Sequence, residues 1–435
     1  MGLRQRAERL LAAKTARDMG VYLLGNIAAA AVNLALLPII TRVLSPEGYG
    51  LYAMAIVISG FLFPFASLGL SNVLVRRFVD KETHDFPRLT TTTMAVSVGA
   101  FLIVVAAMLV VQALAPDTMR RLTGGLSERL LPFVHVMVAG QVLLTIGLGL
   151  LQMEGRPFEY SLVRIAHAAG FGLVGITAVL ALGGGAEGLI ISKAIVDLAV
   201  VIGFTVWMFT RGYLVPRVSS DDTKQVLAYG LPLVPHLISV GLMGMIDRAL
   251  LTTMVGVGAA GIYMVGYQIG LIMWMVVNSM NQAWLPWFNR TMAADTDEAR
   301  GRVVRATYAL SLALALAAIA FAAFSPLLVR ILAGPQFAEA SGIAPWIVIA
   351  FFFQGLYTLS NCYLYFAGST GWLSAATLVA VAGNLLFSWL FIRLNGTVGA
   401  AQGAAAGYLL SFILVALAAA RITPMPWRSA LAVRR

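Results

Sequence analysis

The distribution of apolar residues along the chain predicts twelve membrane-spanning helices. Apolar segments of about 20 residues alternate with short polar or turn-rich breaks, and a helix of that length crosses a hydrocarbon core of roughly 30 Å. The predicted helices are 20–41, 49–70, 91–114, 130–153, 159–182, 188–210, 230–254, 261–284, 306–328, 343–366, 372–394 and 400–420. An even number of helices places both ends of the chain on the same side of the membrane.

The chain repeats its opening pattern near its middle. Arg42-Val43-Leu44 ends the first predicted helix, and Arg248-Ala249-Leu250 stands in the matching place in the seventh. Gly50-Leu51-Tyr52 and Gly261-Ile262-Tyr263 then open the helices that follow. Two related halves of six helices each are therefore predicted. Because six is even, the halves point the same way and are related by a pseudo-two-fold axis along the membrane normal.

The polar breaks predict how the chain is divided. Residues 1–18 carry five basic residues among leucines, which is typical of a basic amphipathic helix on the inner membrane surface. Residues 211–229 form the longest polar connection, a cytoplasmic linker between the lobes 19–210 and 230–420. A basic cytoplasmic tail follows at 421–435.

Composition excludes a soluble protein. With 60% hydrophobic residues, 11% charged residues and a mean hydropathy of +0.87, the chain is predicted to be an all-α polytopic membrane protein. Of the 30 Lys and Arg residues, 22 fall in segments predicted to be cytoplasmic and six in external ones. The positive-inside rule thus accounts for most of the net charge of +11, and no nucleic-acid partner is expected.

The sequence contains no pattern typical of a cofactor site. The single cysteine, Cys362, excludes an internal disulfide, and no nucleotide-binding or metal-binding motif is present. We therefore expect no cofactor and no metal. Transport by such a chain would draw on an ion gradient, on the membrane potential or on the gradient of the substrate itself.

A first group of charges lies inside a predicted helix of the first half. Asp197 is about halfway along the sixth helix, and Lys193 lies four residues earlier on the same face. A charge in the bilayer costs at least a few kcal/mol unless it is paired or hydrated. Asp197 is therefore a candidate ion-coupling residue whose carboxylate is tuned by Lys193. The alternative is a neutralised ion pair that holds helices together.

The other intramembrane charges are mainly basic. Asp247 and Arg248 are neighbours on one helix, so their side chains diverge by about 100° and each needs another partner. Arg248 could attract an anionic head group or extend to the outer interface, and Asp247 is a candidate for ion coupling or for bridging to another helix. Arg42 carries the same two alternatives. Arg164, one turn from His167, could extend a basic inner vestibule or reach the cytoplasmic surface.

Neutral polar residues form two stripes. Asn26 and Asn33 share a face of the first helix, and Gln354, Thr358 and Asn361 share a face of the tenth. Such stripes suit sugar hydroxyls that line a polar cavity, and they equally suit hydrogen bonds between helices.

Small residues and prolines indicate where helices pack closely or bend. Gly266 with Gly270 and Gly403 with Gly407 have the GxxxG spacing of close helix contacts. Prolines such as Pro232 and Pro235 free backbone carbonyls and permit bending, which a transporter with two openings requires.

Three stretches resemble a known family. They are 41–52 (TRVLSPEGYGLY), the segment from Leu231-Pro232 through Asp247-Arg248 to Gly261-Ile262-Tyr263, and 334–340 (GPQFAEA). They are similar to the O-antigen and exopolysaccharide repeat-unit flippases of the multidrug/oligosaccharidyl-lipid/polysaccharide superfamily.

The resemblance implies a flippase that moves undecaprenyl-pyrophosphate-linked oligosaccharide across the bacterial inner membrane by alternating access. Its partners would be the lipid-linked oligosaccharide, membrane lipids, a polysaccharide polymerase and other export machinery. The candidate residues for the anionic head group are the basic residues Arg42, Arg164, Lys193 and Arg248. The chain lacks the two further helices that lipid II flippases of this superfamily usually carry.

Other functions remain open. An H⁺- or Na⁺-coupled drug or metabolite antiporter of the same architecture is the nearest alternative, and an acidic cavity would favour it. A polysaccharide polymerase or ligase usually needs a large external loop, whereas the longest one predicted here, 115–129, has about 15 residues. We therefore expect no enzyme. A non-transporting scaffold is the last alternative.

Overall fold

The computed structural model describes residues 3–78 and 85–427, and every regular element in these ranges is helical. The α-helices are α1 (Leu3–Val43), α2 (Pro46–Ser67), α3 (Ser71–Phe78), α4 (Phe86–Leu114), α5 (Pro116–Leu122), α6 (Leu131–Met153), α7 (Pro157–Ile176), α8 (Gly185–Thr210), α9 (Ser220–Gly230), α10 (Val234–Met243), α11 (Ile246–Met254), α12 (Val257–Met292), α13 (Asp297–Leu332), α14 (Ala340–Phe366) and α15 (Thr370–Ile422). Short 3-10 turns lie at Glu128–Leu130, Leu231–Leu233 and Pro335–Phe337, and a π-helical turn at Thr177–Ala181 extends α7. The predicted all-α polytopic fold is confirmed.

The last helix, α15, is a hairpin of two antiparallel arms. The arms meet at Gly396, whose φ of 58° and ψ of −135° are not helical. Glycine adopts this backbone conformation readily because it has no Cβ. A Cβ on Gly407 would lie 2.6 Å from Asn384, although 23 positions along a straight helix span about 35 Å. Within the described residues, ten helical segments are long and apolar enough to span a membrane, and the hairpin counts as one of them. A bent pair of helices, Ser220–Leu233 with Leu237–Met243, makes an eleventh. When the two arms of the hairpin are counted separately, the number of spans is twelve, as predicted.

The seventh predicted helix, 230–254, is not one continuous helix. A bend of 42° separates Ser220–Leu233 from Leu237–Met243, and the chain breaks again between α10 and α11, at Gly244 and Met245. Pro232 and Pro235 lack the amide hydrogens that a continuous helix uses, and Gly244 favours an interruption. The bend at Pro232 and Pro235 was predicted, whereas the second break, at Gly244 and Met245, was not.

Contacts divide the chain into two compact units. The first holds the residues up to Leu44 together with Met54–Gly241; the second holds Ser45–Ala53 together with Leu242 onward. The first turns of α2 are therefore built into the second unit. The division after Gly241 also lies beyond the predicted linker 211–229, because that segment is bonded to the first unit.

Hydrogen bonds attach the predicted linker to α4. The guanidinium of Arg88 donates to Asp222 (2.9 Å), and the Val215 amide donates to Thr91 Oγ1 (2.9 Å). Ser219 caps α9 by accepting from the Asp222 amide, as the acidic start of this helix suggests. The linker is an ordered part of the first unit.

Both ends of the chain fall partly outside the described residues. The backbone of the predicted surface segment 1–18 continues directly into the first span, because α1 is one helix from Leu3 to Val43. Its amphipathic face lies outside the described side chains. Of the predicted tail 421–435, residues 428–435 lie outside the described residues.

Glycines bring the principal helices of each unit together. In the first unit α6 packs on α8, where a Cβ on Gly147 would lie 2.3 Å from the Phe204 ring. In the second unit α12 packs on α14 through the predicted pair Gly266 and Gly270, whose added Cβ atoms would meet Ile343 and Ile347. The first of these contacts positions α8, which carries Lys193 and Asp197.

Candidate functional site

A buried three-residue cluster lies in the first unit, where α7 and α8 pack. The Lys193 ammonium lies 2.5 Å from each carboxylate oxygen of Asp197, and His167 Nε2 lies 2.8 Å from Asp197 Oδ1. Asp197 is only 1% exposed, whereas Lys193 and His167 keep small exposed fractions. The structure thus forms the predicted Lys193–Asp197 pair and adds His167 to it.

The third helix at this cluster is α6, and it contributes a glycine. A Cβ on Gly140 would lie 2.4 Å from the Asp197 Cβ and 2.8 Å from its carboxylate carbon. Only glycine at this position lets α6 approach the carboxylate closely. The close approach explains why Asp197 is nearly inaccessible although its two partners are not.

The contacts within the cluster offset the cost of burying a carboxylate. A charge inside the membrane is tolerated when it is paired, and the Lys193 ammonium contacts both oxygens of Asp197. The imidazole of His167 adds a hydrogen bond to Asp197 Oδ1. One buried carboxylate therefore joins α7 to α8.

The other basic candidates of the first unit lie nearer its surface. Arg164 is half-buried one turn before His167 on α7. Arg42 is exposed at the end of α1, and its Nη1 donates to the Pro38 carbonyl (2.9 Å). Arg42 therefore does not share the environment of its sequence counterpart Arg248, which is buried in the second unit.

The second buried cluster centres on Asp247 in α11, which is 3% exposed. Its Oδ1 accepts a hydrogen bond from the Ser388 hydroxyl (2.6 Å), and its Oδ2 accepts one from the Tyr263 hydroxyl (3.0 Å). The carboxylate so joins α11 to α12 and to the first arm of α15. The sequence predicted that Asp247 needs a partner other than Arg248, and the structure shows two, the hydroxyls of Ser388 and Tyr263.

Arg248 is buried beside this carboxylate, with 4% of its surface exposed. Its guanidinium carbon lies 4.0 Å from the ring centroid of Tyr267 and 5.8 Å from that of Tyr263. Nη1 donates to the Gly244 carbonyl (2.9 Å) at the break between α10 and α11. Its charge is thus held by aromatic faces and by a carbonyl that the interrupted helix leaves available.

The second arm of α15 holds the cluster in place. A Cβ on Gly403 would lie 2.4 Å from the Ser388 Cα, and one on Gly407 2.6 Å from Asn384 Oδ1. The predicted GxxxG pair therefore packs against Ser388 and Asn384, which are one turn apart. The two glycines leave room for the side chains of Asn384 and Ser388 between the arms.

The predicted polar stripes are present, but their members differ in exposure. Asn26 is half-buried and Asn33 is exposed on α1, while Gln354, Thr358 and Asn361 are half-buried on α14. The Thr358 hydroxyl donates to the Gln354 carbonyl of its own helix (2.8 Å). Each stripe keeps polar atoms that are available for a further partner.

Several buried polar atoms in these regions have no hydrogen-bond partner among the described residues. They are Arg248 Nε, Asn384 Nδ2, Asn26 Oδ1 and Gln354 Oε1. Buried polar atoms are nearly always bonded to protein or water, so these positions are where water, an ion or a substrate group would complete the structure. Two of the four atoms belong to the Asp247 and Arg248 region.

Four members of the second cluster were not predicted as site residues: Tyr263, Tyr267, Asn384 and Ser388. Tyr263 stood out only as part of the repeat, and Tyr267 is one of several aromatic residues in apolar helices. Asn384 and Ser388 are a polar pair at i, i+4 spacing in an otherwise apolar helix. That spacing, read together with the glycine pair at 403 and 407, is the signal that could have found them.

Comparison with protein families gives one match over most of the chain. Residues 15–292 match the family model described as polysaccharide biosynthesis protein. The "Lsg locus putative protein 1" of Haemophilus influenzae is 22% identical over 288 residues, which is 63% of this chain and 66% of that protein. The chain thus spans slightly less than two thirds of the length of this curated relative.

Solved structures share the fold at low sequence identity. A lipid II flippase MurJ in an inward closed conformation has a TM-score of 0.75 and 13% identity, covering 91% of this chain and 87% of its own. A MATE family multidrug resistance transporter of the MOP superfamily, facing inward, has a TM-score of 0.69 and 14% identity, covering 90% and 94%. A MOP superfamily transporter from Pyrococcus furiosus has a TM-score of 0.61 and 14% identity, covering 94% and 95%. The chain has the fold of these transporters.

Proposed function

Because the chain belongs to the polysaccharide biosynthesis protein family and has the fold of MOP superfamily transporters, we propose that it is a flippase for lipid-linked oligosaccharides. Its substrate would be an undecaprenyl-pyrophosphate-linked repeat unit for O-antigen, capsule or exopolysaccharide synthesis. It would move this unit across the bacterial inner membrane by alternating access, with both termini in the cytoplasm, and would perform no covalent chemistry. A polysaccharide polymerase and other export machinery would act on the exported unit.

The observation that carries the proposal is the buried guanidinium of Arg248 with its unused Nε donor. A buried cation is expensive to keep in a membrane protein, and arginine binds phosphate oxygens through several donors in a fixed plane. Tyr267 and Gly244 fix the position of the group but leave Nε free of a described acceptor. An anionic pyrophosphate would provide one.

The other basic candidates take different parts in this proposal. Lys193 is bonded to both oxygens of Asp197, so it belongs to ion coupling more than to head-group binding. Arg42 and Arg164 are more accessible and would attract the pyrophosphate on its way in or out. The polar stripes at Asn26 and Asn33 and at Gln354, Thr358 and Asn361 would offer hydrogen bonds to sugar hydroxyls.

The two buried carboxylates support coupling to an ion gradient. Asp197 is bonded by His167 and Lys193, and Asp247 is held by hydroxyls of Ser388 and Tyr263 with no ion pair among the described residues. The same two carboxylates are what favour the second candidate function, an H⁺- or Na⁺-coupled antiporter of drugs or metabolites.

Transport by the purified full-length chain in proteoliposomes separates the two functions. We expect undecaprenyl-pyrophosphate-linked oligosaccharide added to one leaflet to reach a lectin in the opposite compartment, and cationic dyes to remain where they are. The Arg248→Ala variant should lose the lipid transfer. Dye transport driven by a proton or sodium gradient, without lipid transfer, would replace the flippase with the antiporter.

A further inference from the structure

Two apolar grooves flank α13 in the second unit. The first, here called the Trp284 groove, lies between α12 and α13; it has a volume of about 560 Å³ and is lined by Trp284, Trp287, Ala306, Ala309 and Leu310 among others. The second, the Trp427 groove, lies between α13, α14 and the second arm of α15; it has a volume of about 330 Å³, and its lining includes Thr307, Tyr308, Ser311, Phe412, Ala416 and Trp427. Both volumes fall in the range of roughly 300–1,000 Å³ that is typical of ligand pockets.

The grooves lie at one depth on opposite flanks of α13. Residues 306, 309 and 310 face one groove, and residues 307, 308 and 311 face the other. At about 100° per residue the two sets are centred roughly 150° apart around the helix. α13 is therefore a ridge with an apolar trough on each side.

A basic pair tops this ridge. Arg305 and Arg302 are exposed, on the outer side of α13 and within the two turns before the grooves begin. Arg305 extends back toward the start of the helix, since its Nη1 would be 3.6 Å from a Cβ on Gly301. Neither arginine pairs with a carboxylate among the described residues.

Aromatic residues place this end of the grooves at the head-group level of the membrane. The Tyr308 hydroxyl donates to the Trp427 carbonyl (3.3 Å), and the Trp427 ring contacts the rings of Tyr308 and Tyr363. Trp287 lies in the other groove at the same end of the helices. Tryptophan and tyrosine are enriched where a membrane meets water, so the grooves run from the interface into one leaflet.

We propose that an anionic diacyl phospholipid binds astride α13, with one acyl chain in each groove and its phosphate on Arg302 and Arg305. The two grooves, separated by a helix, fit a lipid with two chains, whereas a polyprenyl lipid has one. Arg302 and Arg305, which pair with no carboxylate among the described residues, select a net negative head group over a zwitterionic one. This site is distinct from the buried clusters and does not depend on which substrate the protein transports.

Native mass spectrometry of the purified full-length protein tests the head group. We expect phosphatidylglycerol to bind more tightly than phosphatidylcholine with the same acyl chains. The double variant R302Q/R305Q should weaken phosphatidylglycerol binding about tenfold and remove the preference. The matched control is R330Q, an exposed arginine on the same face of α13 at its other end. Equal binding of the two lipids, or no change in R302Q/R305Q, would overturn the proposal.

Groove-filling variants test the two chains. Ala309→Phe in the Trp284 groove and Ala416→Phe in the Trp427 groove should each weaken phosphatidylglycerol binding, while Ala323→Phe on the exposed face beyond the grooves should not. Thermal unfolding of each variant checks folding, and the surface pair R302Q/R305Q remains decisive if a filled groove destabilises the protein. Displacement of phosphatidylglycerol by single-chain undecaprenyl phosphate would assign the grooves to the transported lipid and refute the proposal.

Discussion

The backbones of Gly50 and Gly261 are in direct contact within the second unit. A Cβ on Gly261 would lie 2.8 Å from the Gly50 amide nitrogen, and a Cβ on Gly50 would lie 3.2 Å from the Gly261 amide nitrogen. These glycines hold matching positions in the two repeated segments of the sequence. The repeat therefore brings its own two copies together, and each copy needs a residue without a side chain at this point.

The first prediction concerns this contact. Gly261→Ala should destabilise the protein by about 2 kcal/mol or more, because its Cβ would lie 2.1 Å from the Pro46 carbonyl oxygen and backbone atoms must shift. Thermal unfolding in detergent measures the change. Gly99→Ala in α4 is the control, since no atom lies within 4 Å of the added Cβ. Equal unfolding temperatures in the two variants would contradict the argument.

The second prediction concerns Asp247. Asp247→Asn keeps the size of the side chain but lets only one of its two terminal atoms accept a hydrogen bond, so one hydroxyl of Ser388 or Tyr263 loses its acceptor. We expect lipid transfer to fall at least tenfold, with a destabilisation of about 1–3 kcal/mol. Ser388→Ala should cost about as much stability but leave more transport, because the charge remains. If both variants lost transport equally, the carboxylate charge would have no separate role.

The third prediction concerns the pair of Lys193 and Asp197. Removing one member of a buried ion pair costs about 3–5 kcal/mol, whereas replacing both by apolar residues of similar size is often neutral. Asp197→Leu should therefore unfold at a lower temperature than the double variant with Lys193→Met. Transport should be lost in both. A double variant less stable than Asp197→Leu would contradict the argument that the destabilisation comes from the unpaired charge of Lys193.

The fourth prediction concerns His167 and its contact with Asp197. The imidazole can carry a proton, whereas glutamine in His167→Gln can still donate a hydrogen bond to Asp197 but cannot carry the proton. In proteoliposomes we expect a pH gradient to drive transport by the unaltered protein. We expect His167→Gln to remain folded and to transport at a rate that does not respond to the gradient. An identical response in the two proteins would assign the coupled ion elsewhere.

The fifth prediction compares Arg248 with its counterpart Arg42. Arg248→Lys keeps a positive charge but loses the planar group that stacks on Tyr267 and the Nε donor, so we expect transport to fall about tenfold or more. Arg42→Lys should reduce transport less than twofold, because Arg42 is exposed at the end of α1 and the substitution keeps its positive charge. Equal losses would indicate that charge alone matters at both positions.

Much of the fold was predictable because its cause is local. A run of about 20 apolar residues must form a helix in lipid, where backbone groups have no other partner. The spacing of Lys193 and Asp197 likewise sets their contact within one helix. The predicted glycine pairs also proved to be close contacts, because a missing side chain has the same effect wherever a second helix approaches.

The candidate site was less predictable because its partners come from distant positions. Nothing in the segment around Asp247 indicates that Ser388, 141 residues later, will donate to it. Arg42 and Arg248 hold matching positions in the repeat, yet Arg42 is exposed and Arg248 is buried. The break between α10 and α11 supplies the carbonyl that Arg248 uses, and no proline marks it.

The sequence by itself determined that this chain is a helical membrane protein with a repeated plan and very few buried charges. Hydropathy and helical spacing depend only on residues within one or a few helical turns, so they can be taken directly from the sequence. Only the tertiary structure decided which partners those charges have, because the energy of a buried charge depends on whatever atoms other helices bring within about 3 Å. The contact of Asp197 with His167 and the aromatic setting of Arg248 are consequences of packing alone.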